Sequence, residues 1–374
     1  QRQMCIRDRR RTEYQLKEDV MKKTIFALII CLCCLNSVFA FKYSNTPAGM
    51  IYFASHGYVE NNEVLNNPYI IGGLYTMHWS VIESEQGKYN WKEVDDFVNR
   101  WTKAGKKVAL RIMWSSSGYW RNPVAGKPTP AWVWKAGAKY AYHKESNTEL
   151  ALFWDPIFRE HAMNFMKAVN KHFKNNKEIL FIDVTPGAET NPYRFGTINR
   201  KDPQFKESFS KVPASDGRTY TEDLWTETIK SWIKQTAKVM TDIPCLVTLN
   251  QGSLFGRNNF PVFGQTAVDN GMYVGQNGIH ENSYQGNDAL RTKLFNQWKN
   301  KTKLFFEMVH AAETQNTGSM QGVIEAAKRI DCDYLNVYPQ DVLKSTVGTS
   351  CYNTKWDEAL KNGYNYFSSK AKDK

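Results

Sequence analysis

The feature that most constrains the fold of this 374-residue chain is a repeated alternation of short apolar runs with longer segments of helical periodicity. Segments such as WKEVDDFVNRWTKAGK and DPIFREHAMNFMKAVNKHF stand between the runs. Strands that alternate with helices pair in parallel, because each helix returns the chain to the start of the next strand. The eight predicted strands span residues 49–54, 73–79, 107–114, 179–185, 244–250, 272–276, 303–307 and 333–338.

Eight strand–helix units predict an α/β fold, a (β/α)8 TIM barrel, in which residues 41–374 form a single domain. An open doubly wound sheet is the alternative, but no predicted strand leads into a GxGxxG or GxxxxGK turn that would cradle phosphate. Long loops follow the third and fourth strands, at 115–154 and 190–220. Loops that follow strands lie on the face of a barrel where ligands bind.

The N-terminal 40 residues are interpreted as two segments outside this domain. Residues 1–20 begin with QRQMCIRDR, which resembles the translation of a sequencing adaptor and predicts a non-native leader. Residues 21–40 have a two-lysine head, an apolar core and a Val-Phe-Ala end, as in a signal peptide. We therefore expect a secreted or periplasmic protein without stable membrane insertion after cleavage. Lipoprotein anchoring through Cys33 or Cys34 is less favoured, because neither lies in a convincing lipobox.

Charge and cysteine content narrow the function further. Without the first 40 residues, the net charge falls from +12 to about +8, and the lysines are scattered along the chain, so nucleic acid binding is not predicted. Cys245, Cys332 and Cys351 remain, an odd number without metal-like spacing. Neither a disulfide framework nor a zinc site is expected, and no cofactor is implied.

Two glutamates end predicted strands in matching contexts. Glu189 follows the fourth strand in ILFIDVTPGAE, and Glu307 ends the seventh in TKLFFE. Residues at the carboxyl ends of barrel strands face the mouth where ligands bind. A single glutamate there is more often a surface residue, but a facing pair can share the work of cleaving a glycosidic bond. The pair therefore predicts catalysis.

One segment carries a resemblance to a known group of enzymes. LYTMHWSVIESEQGKYNWKEVDDFVNRWTKAGKKVALRIMW resembles the second-to-third-strand stretch of clan A glycoside hydrolases, the TIM-barrel group that includes many cellulases, mannanases and β-galactosidases. The resemblance implies Glu189 as the catalytic acid/base and Glu307 as the nucleophile. It also exposes a departure, since the residue before the acid/base is commonly Asn in these families and is Ala188 here.

Aromatic and polar side chains near strand ends are the candidate sugar ligands, because aromatic faces stack on sugar rings and polar groups bind hydroxyls. Arg111 is a candidate for keeping Glu307 ionised, since a nearby cation favours a carboxylate, although a structural ion pair deeper in the barrel is equally compatible. The predicted substrate-binding residues are His56, His78, Trp79, Arg111, Trp114, Trp120, Asn250, Gln276, His280 and Tyr338.

The sequence thus predicts a secreted O-glycosyl hydrolase that cleaves a polysaccharide or oligosaccharide by a retaining two-carboxylate mechanism. The alternative is a non-catalytic carbohydrate-binding TIM barrel, for which the aromatic loops would suffice. An acyl hydrolase is disfavoured because no GxSxG nucleophile elbow is present. Asp183, on the fourth strand, is assigned a structural role, and Glu281 is a reserve candidate for a catalytic carboxylate.

Overall fold

The computed structural model describes residues 46–54, 62–115, 127–285 and 289–370. The predictions for the leader, the signal peptide, His56 and Trp120 lie outside the described residues. Within these ranges, no helix combines the length and the hydropathy that crossing a membrane requires.

Eight parallel strands close into a barrel, which confirms the predicted (β/α)8 fold. The described residues contain ten strands: β1 Gly49–Ala54, β2 Ile70–His78, β3 Lys107–Met113, β4 Tyr140–His143, β5 Thr148–Ala151, β6 Ile179–Asp183, β7 Cys245–Thr248, β8 Tyr273–Ile279, β9 Leu304–Met308 and β10 Tyr334–Val337. The order around the barrel is β1, β10, β9, β8, β7, β6, β3 and β2, and β4 and β5 form a separate antiparallel hairpin in the long loop after β3.

Three of the helices in the described residues begin at a residue whose side chain caps them. The Asp155 side chain accepts hydrogen bonds from the backbone N–H groups of Ile157 and Phe158, and Thr221 and Ser319 cap their helices in the same way. The α-helices span Trp79–Ile82, Lys92–Lys103, Ala131–Lys135, Pro156–Phe173, Phe195–Lys201, Phe205–Ser210, Glu222–Val239, Phe260–Asp269, Ala289–Trp298, Met320–Arg329, Pro339–Lys344 and Thr354–Lys370. Short 3-10 helices span Asn62–Asn66 and Lys144–Ser146.

An aromatic layer fills the barrel below its mouth. The rings of Phe181, Phe305 and Tyr334 pack together, with centroid separations of 5.5 Å and 5.2 Å from Phe181 to the other two. Side chains two residues apart on a strand share a face, so the next inward layer on these strands is polar. The aromatic floor therefore supports a ring of functional groups at the mouth.

A second aromatic layer joins the barrel to its helices. Trp79 stacks on Phe165 of helix Pro156–Phe173 at 5.4 Å, and Trp114 meets Trp232 of helix Glu222–Val239 edge-on at 5.1 Å. All four rings are buried, and each contributes about 1.5–3 kcal/mol by leaving water. This packing fixes the ends of β2 and β3.

Candidate active site

Glu307 lies on β9 in the polar layer above the aromatic floor. It is in register with Asn336 on β10 and with Asn277 on β8. Its Oε2 accepts hydrogen bonds from Arg111 Nη1 at 3.0 Å and from Asn336 Nδ2 at 2.9 Å. Among the described residues, these are the side-chain hydrogen bonds of this carboxylate, so Oε1 is the oxygen left for other chemistry.

Arg111 joins Glu307 to a second buried carboxylate. Its Nε donates to Asp183 Oδ2 at 2.8 Å, and Asp183 Oδ1 accepts from the Thr185 backbone N–H at 3.1 Å. Burial alone would lower the pKa of Arg111, but the negative charges of Glu307 and Asp183 outweigh it and raise that pKa. Arg111 therefore forms an interior ion pair and also contacts Glu307, so the two interpretations of the sequence coexist.

Glu189 occupies a tight turn after β6 with an unusual backbone. Glu189 and Thr190 both have positive φ, at 54° and 65°. Such conformations of non-glycine residues cost about 1–3 kcal/mol each and cluster at functional sites. The turn closes through the Ala188 N–H bonded to the Asn191 carbonyl at 2.9 Å and the reverse bond at 3.0 Å. The strain is compensated by these contacts and by anchors from neighbouring loops.

Two hydrogen bonds and one close backbone approach hold this turn in place. Trp225 Nε1 donates to the Thr190 carbonyl at 3.1 Å, and the Gly252 backbone N–H donates to Asn191 Oδ1 at 2.8 Å. Gly187 has a φ of 69°, and a Cβ there would lie 2.0 Å from the Asn191 carbonyl oxygen, so only glycine fits. The position of Glu189 is therefore set by surrounding elements.

The environment of Glu189 favours the protonated acid. Burial raises the pKa of Glu189, and the negative charge of Glu307 adds to this, whereas the positive charge of Arg194 opposes it. Asn277 and Arg111 also oppose the rise, but the net shift is upward. Asn250 Nδ2 approaches Glu189 Oε2 at 3.3 Å. A carboxyl group of this kind keeps its proton to higher pH than an exposed one.

Both glutamates line one cavity at the barrel mouth. The cavity has about 710 Å³ of empty space, including the space at its open mouth. Its charged and amide lining residues are Arg111, Asp183, Glu189, Arg194, Asn277 and Glu307. The structure thus brings the two predicted catalytic residues and Arg111 together, with Asn250 bonded to Glu189.

Several predicted substrate-binding residues lie elsewhere. Trp79 and Trp114 belong to the buried aromatic layer between barrel and helices, where core packing accounts for them. His78 lines a second cavity with Tyr75 and Glu93, and burial there lowers its pKa. Both tryptophans were expected to stack on sugars because their rings are large and apolar. The same property buries them in the core.

The placement of Gln276 corrects the sequence interpretation by one residue. On β8, Asn277 pairs with Glu307 and shares its inward face, whereas Gln276 pairs with Phe306. Gln276 Oε1 accepts a hydrogen bond from Tyr284 at 3.1 Å, on the outward side. A shift of one residue reverses the face in a strand, so Asn277 takes the place in the cavity that Gln276 was expected to occupy.

His280, Tyr338 and Glu281 have structural contacts. Tyr338 donates to the Val309 carbonyl at 3.3 Å and packs against Phe53, and the His280 backbone N–H donates to Ser283 Oγ at 2.9 Å. Glu281 Oε2 accepts from the Ser319 N–H at 2.9 Å, at the start of helix Met320–Arg329. The structure does not bring these three side chains to the carboxylates' cavity.

The sequence interpretation missed three residues of the site. Asn336 binds Glu307, and Tyr193 and Arg194 line the cavity beside Glu189. A signal for Asn336 was present, because it is a polar residue inside the apolar strand Tyr334–Val337. Asp183, which was expected to be structural, pairs with Arg111 and also lines the cavity. Within the described ranges, no group of three or more His, Cys, Asp or Glu side chains is arranged to hold a metal ion.

Part of the chain matches a known protein family. Residues 73–236 match the family Glyco_hydro_42, described as Beta-galactosidase. Over this segment the chain is similar to glycoside hydrolase family 42, and its fold is a TIM barrel. The matched segment contains Glu189 and Arg111 but ends before Glu307. Glu307 is therefore assigned to the site by the geometry of the barrel.

The chain is also similar to individual proteins. It is 28% identical over 109 residues to Beta-galactosidase BbgII from Bifidobacterium bifidum, a match covering 27% of this chain and 14% of that protein. It resembles the catalytic domain of beta-amylase from Paenibacillus polymyxa, with a TM-score of 0.56, 12% identity and coverage of 87% of this chain and 99% of that one. It also resembles beta-galactosidase from the psychrophilic Marinomonas ef1, with a TM-score of 0.51, 10% identity and coverage of 86% of this chain and 59% of that one. At these identities, the structures share the fold.

Proposed function

We propose that this protein hydrolyses O-glycosidic bonds of an oligosaccharide or polysaccharide by a retaining mechanism. The observation that carries the proposal is that Glu189 and Glu307 line one cavity in contrasting environments. Burial raises the pKa of Glu189, whereas Glu307 is bonded to the Arg111 guanidinium. Enzymes that cleave glycosidic bonds need one protonated and one ionised carboxyl group at the same time.

In the first step, Glu189 would donate its proton to the glycosidic oxygen as that oxygen leaves the sugar. Glu307 Oε1 would attack the anomeric carbon and form a glycosyl ester, while Arg111 and Asn336 hold Oε2. In the second step, the ionised Glu189 would take a proton from water, and that water would displace Glu307 from the anomeric carbon. The same carboxyl group thus serves as acid and then as base.

β-Galactosides are the first substrates to test, because the matched family is described as Beta-galactosidase. The purified protein is incubated with aryl glycosides of several sugars and with a polysaccharide panel, beside a Glu307→Gln control. We expect release of aryl alcohol or reducing sugar by the unaltered protein alone, with the anomeric configuration of the first product retained by NMR. Saccharide binding without hydrolysis would instead favour a non-catalytic carbohydrate-binding barrel.

We also propose that the protein is exported through the signal peptide at residues 21–40. Expression of the chain from Met21 in a bacterial host, followed by mass spectrometry of the product, tests this. A mature N-terminus near Phe41 in the periplasm or medium is expected. A diacylglyceryl modification on Cys33 or Cys34 would instead indicate a lipoprotein, and retention of residues 21–40 in the cytoplasm would contradict export.

A further inference from the structure

The hairpin β4–β5 has two faces with different surroundings. Its side chains alternate, so that Ala141 and Leu150 are buried while Tyr140 and Tyr142 point to solvent. Leu150 on the inner face lines the cavity that holds the two glutamates. The exposed tyrosines therefore lie on the outer face of an element that forms part of the cavity wall.

Neighbouring side chains hold these aromatic rings in place. Trp134 lies 4.9 Å from Tyr140 between ring centroids and donates from Nε1 to Glu149 Oε2 at 2.8 Å. Tyr142 donates to Asn147 Oδ1 at 2.9 Å. We call Trp134, Tyr140, Tyr142 and Glu149 the hairpin platform.

The exposure of these rings is large for aromatic side chains. Tyr140 is 37% exposed and Tyr142 is 48% exposed. Tyrosine offers a broad face with low conformational entropy and a polar edge. Glu149, which also pairs with Lys127 at 3.3 Å, places charged groups beside the rings.

We propose that the hairpin platform binds a sugar unit of an oligosaccharide or polysaccharide at a distance from the bond being cleaved. This inference rests on the proposed glycosidase function and adds that the substrate is a chain longer than the cavity holds. A sugar unit fits the chemistry, because its C–H face stacks on tyrosine and its hydroxyls bond to carboxylate and ammonium groups. Continuity with the cavity wall favours this occupant over an unrelated protein.

The test is the double variant Tyr140→Ala/Tyr142→Ala, with Tyr364→Ala as the matched control. Tyr364 is 40% exposed on helix Thr354–Lys370, so its loss removes a comparable ring away from the hairpin. We expect the ratio of kcat/KM on a polysaccharide to kcat/KM on an aryl monoglycoside to fall about tenfold in the double variant. The control should keep the ratio of the unaltered protein.

A ratio equal to that of the unaltered protein, in a double variant with unchanged circular dichroism, would overturn the platform proposal. An equal fall on both substrates would also overturn it, because a damaged cavity wall affects every substrate. Tyr142→Phe keeps the ring and should preserve the ratio, which separates stacking from the bond to Asn147.

Binding measured without catalysis separates this proposal from the proposed function. In affinity electrophoresis, Glu307→Gln protein should be retarded by the polysaccharide, and adding the two tyrosine substitutions should remove the retardation. If no glycoside is hydrolysed but this loss of retardation is seen, the platform stands and the hydrolase proposal fails. If hydrolysis occurs but polysaccharide retards neither protein, the platform proposal fails.

Discussion

The two glutamates of the cavity, Glu189 and Glu307, differ in backbone conformation and in the groups that contact their carboxyl oxygens. Glu307 lies within a regular strand and is 5% exposed, with Arg111 and Asn336 bonded to one oxygen. Glu189 lies in a turn with positive φ, has a more exposed side chain than Glu307, and accepts a hydrogen bond from Asn250 Nδ2 at 3.3 Å. One carboxyl group is bound to a cation, and burial raises the pKa of the other.

This contrast shows how one fold can produce two chemical roles from one side chain. A carboxylate with a bonded cation is stabilised as the anion that a nucleophile must be, whereas a desolvated carboxyl group retains its proton. The barrel brings both to one cavity because both lie toward the carboxyl ends of strands of the same sheet. The difference between them comes from the residues around each.

The largest effect on turnover is expected from Glu307→Gln. An amide cannot form the glycosyl ester, so turnover of every substrate should fall on the order of 10⁴-fold or more. Steady-state assays with aryl glycosides measure this, with circular dichroism as the check on folding. Activity within a factor of ten of the unaltered protein would assign the nucleophile elsewhere.

Glu189→Gln should have a smaller effect that depends on the substrate. Loss of a general acid/base costs about 10²–10⁴-fold on substrates whose leaving group needs a proton. An activated aryl glycoside needs none, so its first step should persist and a covalent intermediate should accumulate on Glu307. Azide should then restore turnover by replacing the water that Glu189 would activate. Equal loss on all substrates without azide rescue contradicts the assigned role.

Arg111→Met removes the cation that is bonded to Glu307. It leaves Asp183 and Glu307 buried without their cation, and removing one partner of a buried pair costs about 3–5 kcal/mol of unfolding free energy. Urea denaturation measures the change. The matched control is Arg194→Met, an exposed cation at the same cavity, which should change stability by about 0.5 kcal/mol or less. Equal unfolding free energies of the two variants would show that the ion pairs of Arg111 with Asp183 and Glu307 do not stabilise the barrel.

The smallest effect is expected for Arg194→Met on the pH profile. The positive charge of Arg194 lowers the pKa of Glu189, so its removal should raise that pKa further. The general acid works in its protonated form, and the alkaline limb of kcat/KM should therefore move to higher pH. Profiles are recorded at low ionic strength because salt screens an exposed charge. A limb that moves to lower pH would contradict the assignment of Glu189 as the acid.

Much of the fold could be predicted because strand and helix periodicities are local properties of the sequence. All eight barrel strands were located within about three residues at their ends, and both glutamates were found because each closes an apolar run. Asp155 and Thr221, polar residues directly before helical segments, cap those helices. The hairpin β4–β5 was missed, since its short strands lie inside an aromatic-rich loop.

Local sequence patterns are enough to identify the strands, the helices and the two carboxylates, Glu189 after β6 and Glu307 near the end of β9. The tertiary structure decided which side chains surround them. Asn277 rather than Gln276 faces Glu307, because register with β9 sets the inward face of β8. Trp79 and Trp114 are core residues, because their rings pack against the helices that surround the barrel. Pairing of Arg111 with Asp183 and Glu307 joins residues 72 and 196 positions apart, and such contacts exist only once the barrel closes.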